Sequence, residues 1–398
     1  MAEKFTDQPE NVAENVAENE FVFTSEQAQL RDAVRRFSAE HFGEAKARVQ
    51  MESQPRFDRL VWQRLGSELG VLGLSVPDAD GGVGGTLIDQ AIAVEELGAA
   101  LATGPLFGTV YLAIPALVAA SAGTARDELL GALVEGARTA AFAVPDRAGA
   151  FDPAAVTVTG TDALTGTVAR VVDADDADEL LGAATGPDGI ALYAVDATGA
   201  GVQRTGLVTL DLTRPQATVE LTGAPARLIA GPDEATRVIE HALQVGATLL
   251  AAEQVGAAQH LLNLSVEYAK SRLQFGRPIG SFQAVKHRLA EGMVDLEHAR
   301  SATYHAVWAL TDGSDDPALA ASIAQALASA TFARIASDTV QVHGGIGFTW
   351  EHQAHLFLKR ASTDAALLGS AEAHRDRVAA LVLDTATADR PPRVATGV

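Results

Sequence analysis

Apolar side chains recur at helical spacing in the first third of the chain. Thr24 and Gln27 form a capping-box pattern that predicts the start of the first helix. Helical patterns continue to about residue 135, interrupted by the glycine-rich stretch 77–85 and by Gly104-Pro105. The apolar face of the first helix is predicted to carry Leu30, Ala33, Val34 and Phe37.

The pattern changes near residue 140 to short segments rich in β-branched residues. Gly, Pro and Asp separate these segments at short intervals, which is typical of an antiparallel sandwich or barrel. No G-x-G-x-x-G motif follows a predicted strand, so a Rossmann dinucleotide site is not expected. The predicted strands cover residues 155–159, 164–172, 190–196, 207–213 and 217–223.

Long helical segments return from about residue 233. One is predicted over residues 234–270, continuous or with one break, and a second over 281–312. A third opens at Asp316-Pro317, a capping residue followed by proline at the first helical position, and ends at Gly344. The sequence therefore predicts a multi-domain α+β protein.

The order of these patterns predicts the domain boundaries. A helical N-terminal domain is expected over residues 23–135, a central antiparallel β-domain over 136–232 and a C-terminal helical bundle over 233–384. Residues 1–22 contain the acidic repeat NVAENVAENE and no apolar periodicity, which predicts a mobile tail. Residues 385–398 are predicted to be a second tail.

Composition and charge narrow the classes of function. The chain has 51 Asp and Glu against 30 Lys and Arg, a formal net charge of -21. Such a surface repels phosphate backbones and anionic lipid, so nucleic-acid and membrane partners are not expected. The absence of cysteine excludes disulfides and thiolate metal sites. The acidic N-terminus does not resemble a secretory signal, and a cytoplasmic protein is expected.

Two segments are candidates for ligand binding. In SRLQFGRPIGSFQAVKH (271–287), the guanidinium of Arg272 beside the ring of Phe275 suits a pyrophosphate with an adjacent adenine. A surface arginine and a buried phenylalanine at a helix corner explain the spacing equally well. In QVHGGIGFTWEH (341–352), consecutive glycines allow close backbone approach to a ligand, although an ordinary glycine cap also fits.

Together, the two segments closely resemble the C-terminal signature stretches of the acyl-CoA dehydrogenase family. LGLSVPDADGGVGG, VEELGAALATGP and AAEQVGAAQ (251–259) add to the resemblance, which covers about residues 23–384. It implies the acyl-CoA dehydrogenase fold with a C-terminal four-helix bundle, assembled as a dimer or tetramer. It also implies FAD as cofactor, an acyl-CoA substrate and electron-transfer flavoprotein as a partner.

In this family the FAD lies at a subunit interface. The two signature stretches contact its adenine and pyrophosphate side from the neighbouring subunit. His343 and His355 have no nearby carboxylate pair, so no metal site is expected, and capping or surface roles are expected for both. Carried over by motif, the resemblance assigns the cofactor contacts to Arg272, Phe275, Gln283, Gln341, Gly344 and Gly345.

The family's catalytic carboxylate is missing from both of its known positions. This chemistry removes a substrate proton, and a positioned base is worth about 10²–10⁴-fold. By resemblance, Gly369 stands at the usual base position, with Ala371 at the Thr that follows it. Gly246 and Ala247 stand at the alternative Glu and Arg positions. No catalytic residue is therefore assigned.

The segments expected to line the flavin ring also depart from the family pattern. Residues 143–150 correspond to the family's T-E-P-x-x-G-S-D loop and keep only Pro145. Residues 168–174 correspond to its K-x-W-I-T-N strand, with Arg170 and Val172 in place of Trp and Thr.

Two other carboxylates are candidates for a relocated base. Glu253 lies seven residues past Gly246, roughly 10 Å along a helix, which is too far for the same proton. Glu372 lies three residues past Gly369 and would reach the substrate only if the loop were rebuilt. A solvated or hydrogen-bonded structural role is favoured for each.

The residues that this chain would lend to a neighbour's FAD are thus intact, whereas those serving its own flavin ring and substrate are degraded. This asymmetry predicts the base-less partner subunit of a heteromeric acyl-CoA dehydrogenase, a form known in actinobacterial steroid and lipid catabolism. Two alternatives stay open. One is a self-sufficient homomeric dehydrogenase with a relocated base, and the other is a flavin monooxygenase or binding scaffold of the same fold.

Overall fold

The computed structural model describes residues 23–313 and 315–384. Both predicted tails, residues 1–22 and 385–398, lie outside this part of the chain. The described residues form an N-terminal group of helices, a central β-domain and a C-terminal helical bundle, in the order that the sequence predicts.

The N-terminal helices begin where the capping pattern predicts. Thr24 accepts a hydrogen bond from the Gln27 amide, and the Gln27 side chain accepts one from the Thr24 amide at 3.0 Å. Val34 and Phe37 are buried, whereas Leu30 and Ala33 are partly buried. The elements are α1 (Ser25–His41), α2 (Glu44–Met51), α3 (Arg59–Ser67), α4 (Leu87–Ala99), a π-helical segment (Leu106–Ala113), α5 (Ile114–Ala119) and α6 (Thr124–Val134).

The β-domain contains a four-stranded sheet in the order β1-β5-β6-β9 and a three-stranded sheet in the order β4-β8-β7. All pairs in these sheets are antiparallel except β1 with β5, which is parallel. A hairpin of β2 and β3 follows β1. The strands are β1 (Ala140–Ala143), β2 (Asp146–Arg147), β3 (Ala150–Phe151), β4 (Ala163–Val172), β5 (Glu179–Gly186), β6 (Gly189–Asp196), β7 (Val202–Gly206), β8 (Gln216–Pro225) and β9 (Arg227–Ala230).

Two predicted strands are wrong. Residues 207–213 lie outside the sheets, because Asp211 and Thr213 turn inward and bond to each other and to Arg360. In the predicted segment 155–159, only Thr159 forms a β-bridge.

The C-terminal bundle is built on three long helices. α7 (Ala235–Ser271) is continuous over 37 residues, with no break. α8 (Gln283–Asp312) runs back along it, and α9 (Pro317–His343) begins at the predicted Asp316 cap. The remaining elements are the hairpin β10 (Leu273–Gln274) and β11 (Arg277–Pro278), then α10 (Gly345–Phe348), α11 (Ala354–Asp364) and α12 (Ala371–Ala379).

One described helix, α9, is apolar and long enough to cross a membrane by length and composition. In the structure, 61% of its most apolar window is buried inside the protein. It packs against α7, α8, α11 and α12, which is the position of a core helix in a bundle.

Candidate cofactor half-site and closed catalytic pocket

The two signature segments meet at one end of the bundle. α7 and α9 end side by side there, and the rings of Tyr268 and His343 stack between them with centroids 4.3 Å apart. The hairpin β10–β11 follows the first helix, and α10 follows the second. This end exposes all six residues that motif resemblance assigns to the cofactor: Arg272, Phe275, Gln283, Gln341, Gly344 and Gly345.

Phe275 has an unusual backbone conformation at the tip of the hairpin. Its φ is 52° and that of Gly276 is 78°, as in the tight turn that joins two antiparallel strands. A left-handed conformation is costly for a bulky residue, and such strain concentrates at functional sites. The side chain is 91% exposed, which is inconsistent with the alternative of a ring buried at a helix corner. The strained turn instead presents the ring to the surroundings.

The surface around Phe275 is open to a ligand. A Cβ added to Gly344 or Gly345 would meet nothing within 4 Å, although the φ of 64° at Gly344 itself favours glycine. The Arg272 guanidinium forms no ion pair with any residue of the described chain. These groups provide an unpaired cation, an exposed ring and accessible backbone, which suit a phosphate with an attached aromatic base.

Two histidines near this end are buried, so of the capping or surface roles expected for them the surface position is wrong. His343 is buried at the end of α9, where its Nδ1 donates to Thr339 O at 2.8 Å. His355 stacks on Trp350 with centroids 4.6 Å apart. Burial lowers the pKa of both imidazoles, so both are neutral packing groups at neutral pH.

The family's usual base position is closed by backbone. Gly369 has a φ of 99°, and a Cβ built on it would lie 2.5 Å from Ala148 Cα. Ala148 and Gly149 form the turn between β2 and β3, which lies directly on residues 368–369. Arg377 holds this turn in place, because its Nη1 donates to Ala148 O at 2.9 Å. No carboxylate side chain fits at Gly369 while this turn is seated.

A shift of the motif by one position would not supply a base. Residues 367–371 read LLGSA and contain no ionisable side chain. Leu368 is buried, and its carbonyl accepts a hydrogen bond from His374 Nε2 at 2.8 Å. The whole loop therefore lacks a proton acceptor of suitable pKa.

The alternative base position is closed by side chains. A Cβ on Gly246 would collide with the Leu112 side chain and would lie 3.3 Å from Tyr111 O. Both residues belong to the π-helical segment Leu106–Ala113, all of which is buried. A side chain at this position would therefore require the Leu112 side chain to move.

The two other candidate carboxylates have structural roles, as the sequence favours. Glu372 lies in the first turn of α12 with its side chain 80% exposed, and backbone hydrogen bonding there lowers its pKa. Glu253 is buried on α7 and is bonded to two arginines.

Glu253 is the centre of a buried ionic cluster between the β-domain and the bundle. Arg214 Nη2 donates to both of its carboxylate oxygens, at 2.5 and 2.7 Å. Arg360 Nη1 donates to it at 2.6 Å, and Tyr111 Oη at 2.9 Å. Arg360 Nε also donates to Asp211 at 2.8 Å, and Asp364 lies 3.1 Å from Arg214. The cluster thus holds three carboxyl groups and two guanidiniums.

Three carboxyl groups share two guanidiniums in this cluster, and their surroundings decide which carboxyl keeps a proton. Its two arginines lower the pKa of Glu253 to about 2, so Glu253 is ionised. Burial raises the pKa of Asp364 to about 7. Asp364 lies beside Arg214, but its carboxylate oxygens accept no hydrogen bond. Burial likewise raises the pKa of Asp173 to about 7, although Asp173 accepts a bond from the Gly108 amide at 2.8 Å.

Replacing Asp364 with Asn should stabilise the protein more at pH 8 than at pH 5. A carboxyl whose folded pKa is raised stabilises the fold fully below its unfolded pKa near 4, and this contribution is lost as pH rises through about 7. The Asn side chain does not ionise. The free energy of unfolding of the variant, relative to that of the parent, should therefore increase by on the order of a few kcal/mol between pH 5 and pH 8. Urea unfolding at both pH values measures it.

The exposed Asp376→Asn variant is the matched control, since it removes the same formal charge from the surface of α12. Its stability difference from the parent chain should change little between pH 5 and pH 8. Equal pH dependence in the two variants would show that Asp364 is ionised throughout.

The sequence carried one signal for this cluster. Between Glu240 and Glu267, Glu253 is the only Asp, Glu, Lys or Arg in an otherwise uncharged helix. A lone charge in such a run is buried only when it is paired. The identities of its partners could not be read from the sequence.

Comparison with known families agrees with this architecture. The family model described as "Acyl-CoA dehydrogenase, N-terminal domain" matches residues 24–137, and "Acyl-CoA dehydrogenase, C-terminal domain" matches residues 236–383. The chain belongs to the acyl-CoA dehydrogenase family. As a member of this family it is an oxidoreductase of the type that acts on the CH–CH bond of acyl-CoA, and its cofactor is FAD.

Individual acyl-CoA dehydrogenases are similar over nearly the whole chain. Acyl-CoA dehydrogenase IpdE2 of Mycobacterium tuberculosis is 38% identical over 346 residues, 87% of this chain and 93% of that protein. The Tcur3481-Tcur3483 steroid ACAD has a chain 32% identical with a TM-score of 0.81, covering 91% of this chain and 99% of that one. The ChsE4-ChsE5 complex from Mycobacterium tuberculosis contains a chain that is 30% identical, with a TM-score of 0.80. The match covers 93% of this chain and 99% of that one.

The two sides of an FAD site differ in how well they fit this chain. The bundle end offers the exposed Arg272, Phe275 and glycine backbone that suit the adenine and pyrophosphate half. On the flavin-ring side, the turn at Ala148 is packed against Gly369. Arg170 is exposed with a φ of 58°, at an irregularity where β4 shifts register against β8. The chain therefore fits half of the cofactor well and the other half poorly.

Proposed function

We propose that this chain is the non-catalytic subunit of a heteromeric acyl-CoA dehydrogenase. The observation that carries this proposal is the seating of the Ala148 turn on Gly369, which leaves neither space nor a carboxylate at the base position. The intact, exposed half-site at the bundle end supports it, because such a surface has a use only when a second subunit supplies the flavin-ring side.

The reaction assigns separate tasks to the two subunits. Bound FAD would supply the acceptor for the hydride that leaves the β-carbon of the acyl thioester. A carboxylate of the partner removes the α-proton, since this chain has none in reach. Arg272 would hold the pyrophosphate by charge-assisted hydrogen bonds, and Phe275 would cover the adjacent base. Gln283, Gln341 and the backbone of Gly344 and Gly345 would complete the contacts that orient the cofactor in the partner's pocket.

The solved relatives support a paired assembly. The ChsE4-ChsE5 complex contains two named components, and one of its chains is 30% identical to this one. The Tcur3481-Tcur3483 steroid ACAD is likewise named for two components. We infer that the partner of this chain is a paralogue with an intact Glu, that the pair assembles as a dimer or tetramer in the cytoplasm, and that electron-transfer flavoprotein reoxidises the cofactor.

Co-expression with such a paralogue should give a complex with one FAD per mixed pair. Each pair then contains one complete site, built from the partner's ring side and this chain's half-site. Arg272→Ala should lower the retained FAD at least about tenfold, because a charge-assisted contact of roughly 1.5–3 kcal/mol is lost. Native mass spectrometry with flavin absorbance measures both quantities.

Arg375→Ala is the control, since Arg375 is exposed and, among the described residues, its one ion pair is with Glu372 of its own helix. This variant should retain FAD as the parent complex does. One FAD per chain in the pure homomer would contradict the proposed subunit role, and full retention by the Arg272 variant would contradict the half-site.

A further inference from the structure

A groove along the bundle has a charge opposite to that of the protein as a whole. It lies between the end of α7 and the start of α8, beneath the hairpin β10–β11, and has a volume of about 420 Å³. Val266, Pro278 and Leu289 provide apolar walls, and Lys270 and Lys286 provide two ammonium groups. Residues 268–290 contain five Lys or Arg and no Asp or Glu, in a chain of net charge -21.

The lysines of this groove are little compensated. Lys270 pairs with Glu267 of its own helix, where both side chains are largely exposed. Lys286 makes no ion pair within residues 23–313 and 315–384. An acidic segment with small apolar side chains would therefore complement both the charge and the walls of the groove.

This chain carries a segment of that composition. Residues 1–22 contain six Asp or Glu and one Lys, and their repeat NVAENVAE (11–18) alternates apolar and acidic residues. We propose that the groove between α7 and α8 binds this acidic N-terminal segment of the same chain, with Glu10 and Glu14 at Lys270 and Lys286.

The geometry of α8 leads from the segment to the groove. Phe23, the first described residue, packs on Tyr304 of α8 with ring centroids 5.2 Å apart. Lys286 precedes Tyr304 by 18 residues, which is five helical turns, so both lie on one face about 27 Å apart. Met293, which is 45% exposed, and the ion pair of Arg300 with Glu297 lie between them on that face.

Chain length determines which carboxylates reach the lysines. Glu14 is nine residues before Phe23 and spans up to about 30 Å, so it reaches Lys286. Glu10 has four further residues and also reaches. Glu20 is three residues before Phe23, and a span of about 10 Å is too short to reach Lys286. The pair Glu10 and Glu14 therefore differs in reach from Glu20 within the same segment.

Lysine reactivity in the full chain tests the proposal. The double variant Glu10→Gln/Glu14→Gln should raise the rate of reductive methylation of Lys286 about three- to fivefold, the factor expected from losing one or two surface ion pairs. Glu18→Gln/Glu20→Gln, which removes the same charge closer to Phe23, should leave this rate unchanged. Lys46 on α2 reports any general effect of charge, and mass spectrometry quantifies each lysine.

Carbodiimide cross-linking of a mixture of ¹⁵N-labelled and unlabelled full chains tests the same contact directly. A link between Lys286 or Lys270 and Glu10 or Glu14 within one chain supports the proposal. Links only between chains would overturn it in favour of a second copy as the donor. Equal Lys286 reactivity in all three proteins, or an equal rise in both double variants, would also overturn it.

Discussion

Supplied with acyl-CoA thioesters and FAD, the isolated chain should leave the flavin oxidised over times in which the co-expressed complex bleaches it fully. The expected difference in rate is about 10²–10⁴-fold, the contribution of a positioned base. It follows from residues 367–371, which contain no ionisable side chain, and from Gly246 at the alternative position. Stopped-flow absorbance with a panel of thioesters measures it.

Restoring the carboxylate alone should not restore the rate. In Gly369→Glu the new Cβ would lie 2.5 Å from Ala148 Cα, at a φ of 99° that side chains rarely adopt. The variant should remain inactive and lose about 1–3 kcal/mol of stability or more from overpacking. Gly131→Glu is the matched control, because a Cβ on Gly131 of α6 meets nothing within 4 Å. Rapid bleaching by the isolated parent chain would revive a relocated base.

Glu253→Ala should be strongly destabilising. It leaves Arg214 and Arg360 facing each other in a buried site with the compensation of Asp211 and Asp364 alone. Breaking a buried ion pair from one side typically costs about 3–5 kcal/mol. The loss should appear at every pH above about 4.5, since the low pKa of Glu253 keeps it charged until pH approaches 2.

Glu372→Ala is the control for this substitution, because the side chain of Glu372 is 80% exposed. It should change stability by no more than about 0.5 kcal/mol. Guanidinium unfolding of both variants, with the slope m compared to that of the parent, gives the two values. A Glu253→Ala protein within about 1 kcal/mol of the parent would show that the cluster is not held by this carboxylate.

The helices were predictable because their signals are local. The Thr24–Gln27 box and the Asp316-Pro317 start act within a single turn, and both appear in the structure where the pattern places them. β1 and β5 were missed because their sequences, AAFA and ELLGAATG, lack β-branched runs, so tertiary pairing defines them as strands: β1 pairs with β5, and β5 pairs with β6 along its whole length. LVTLDLT (207–213) alternates like a strand, but tertiary bonds from Asp211 and Thr213 prevail.

The two halves of the candidate site also differ in whether their signals are local in the sequence. The half-site residues are contiguous in two motifs, so resemblance identifies them, and the structure brings the motifs to one bundle end. The closure of the pocket depends on Ala148 and Arg377, which are 229 residues apart and have no recognisable pattern between them. An empty base position could be read from sequence, whereas the turn that fills the space could not.

The buried cluster also sets an order of events during synthesis. Asp211 emerges from the ribosome 149 residues before its partner Arg360. At about 5–20 residues per second, the two groups are separated by roughly 7–30 s of translation. During that interval the segment around Asp211 and Arg214 has no buried site to occupy, because Glu253 is still unpacked and α11 has not been made. The β-domain and the bundle therefore complete their junction only after nearly the whole chain has been translated.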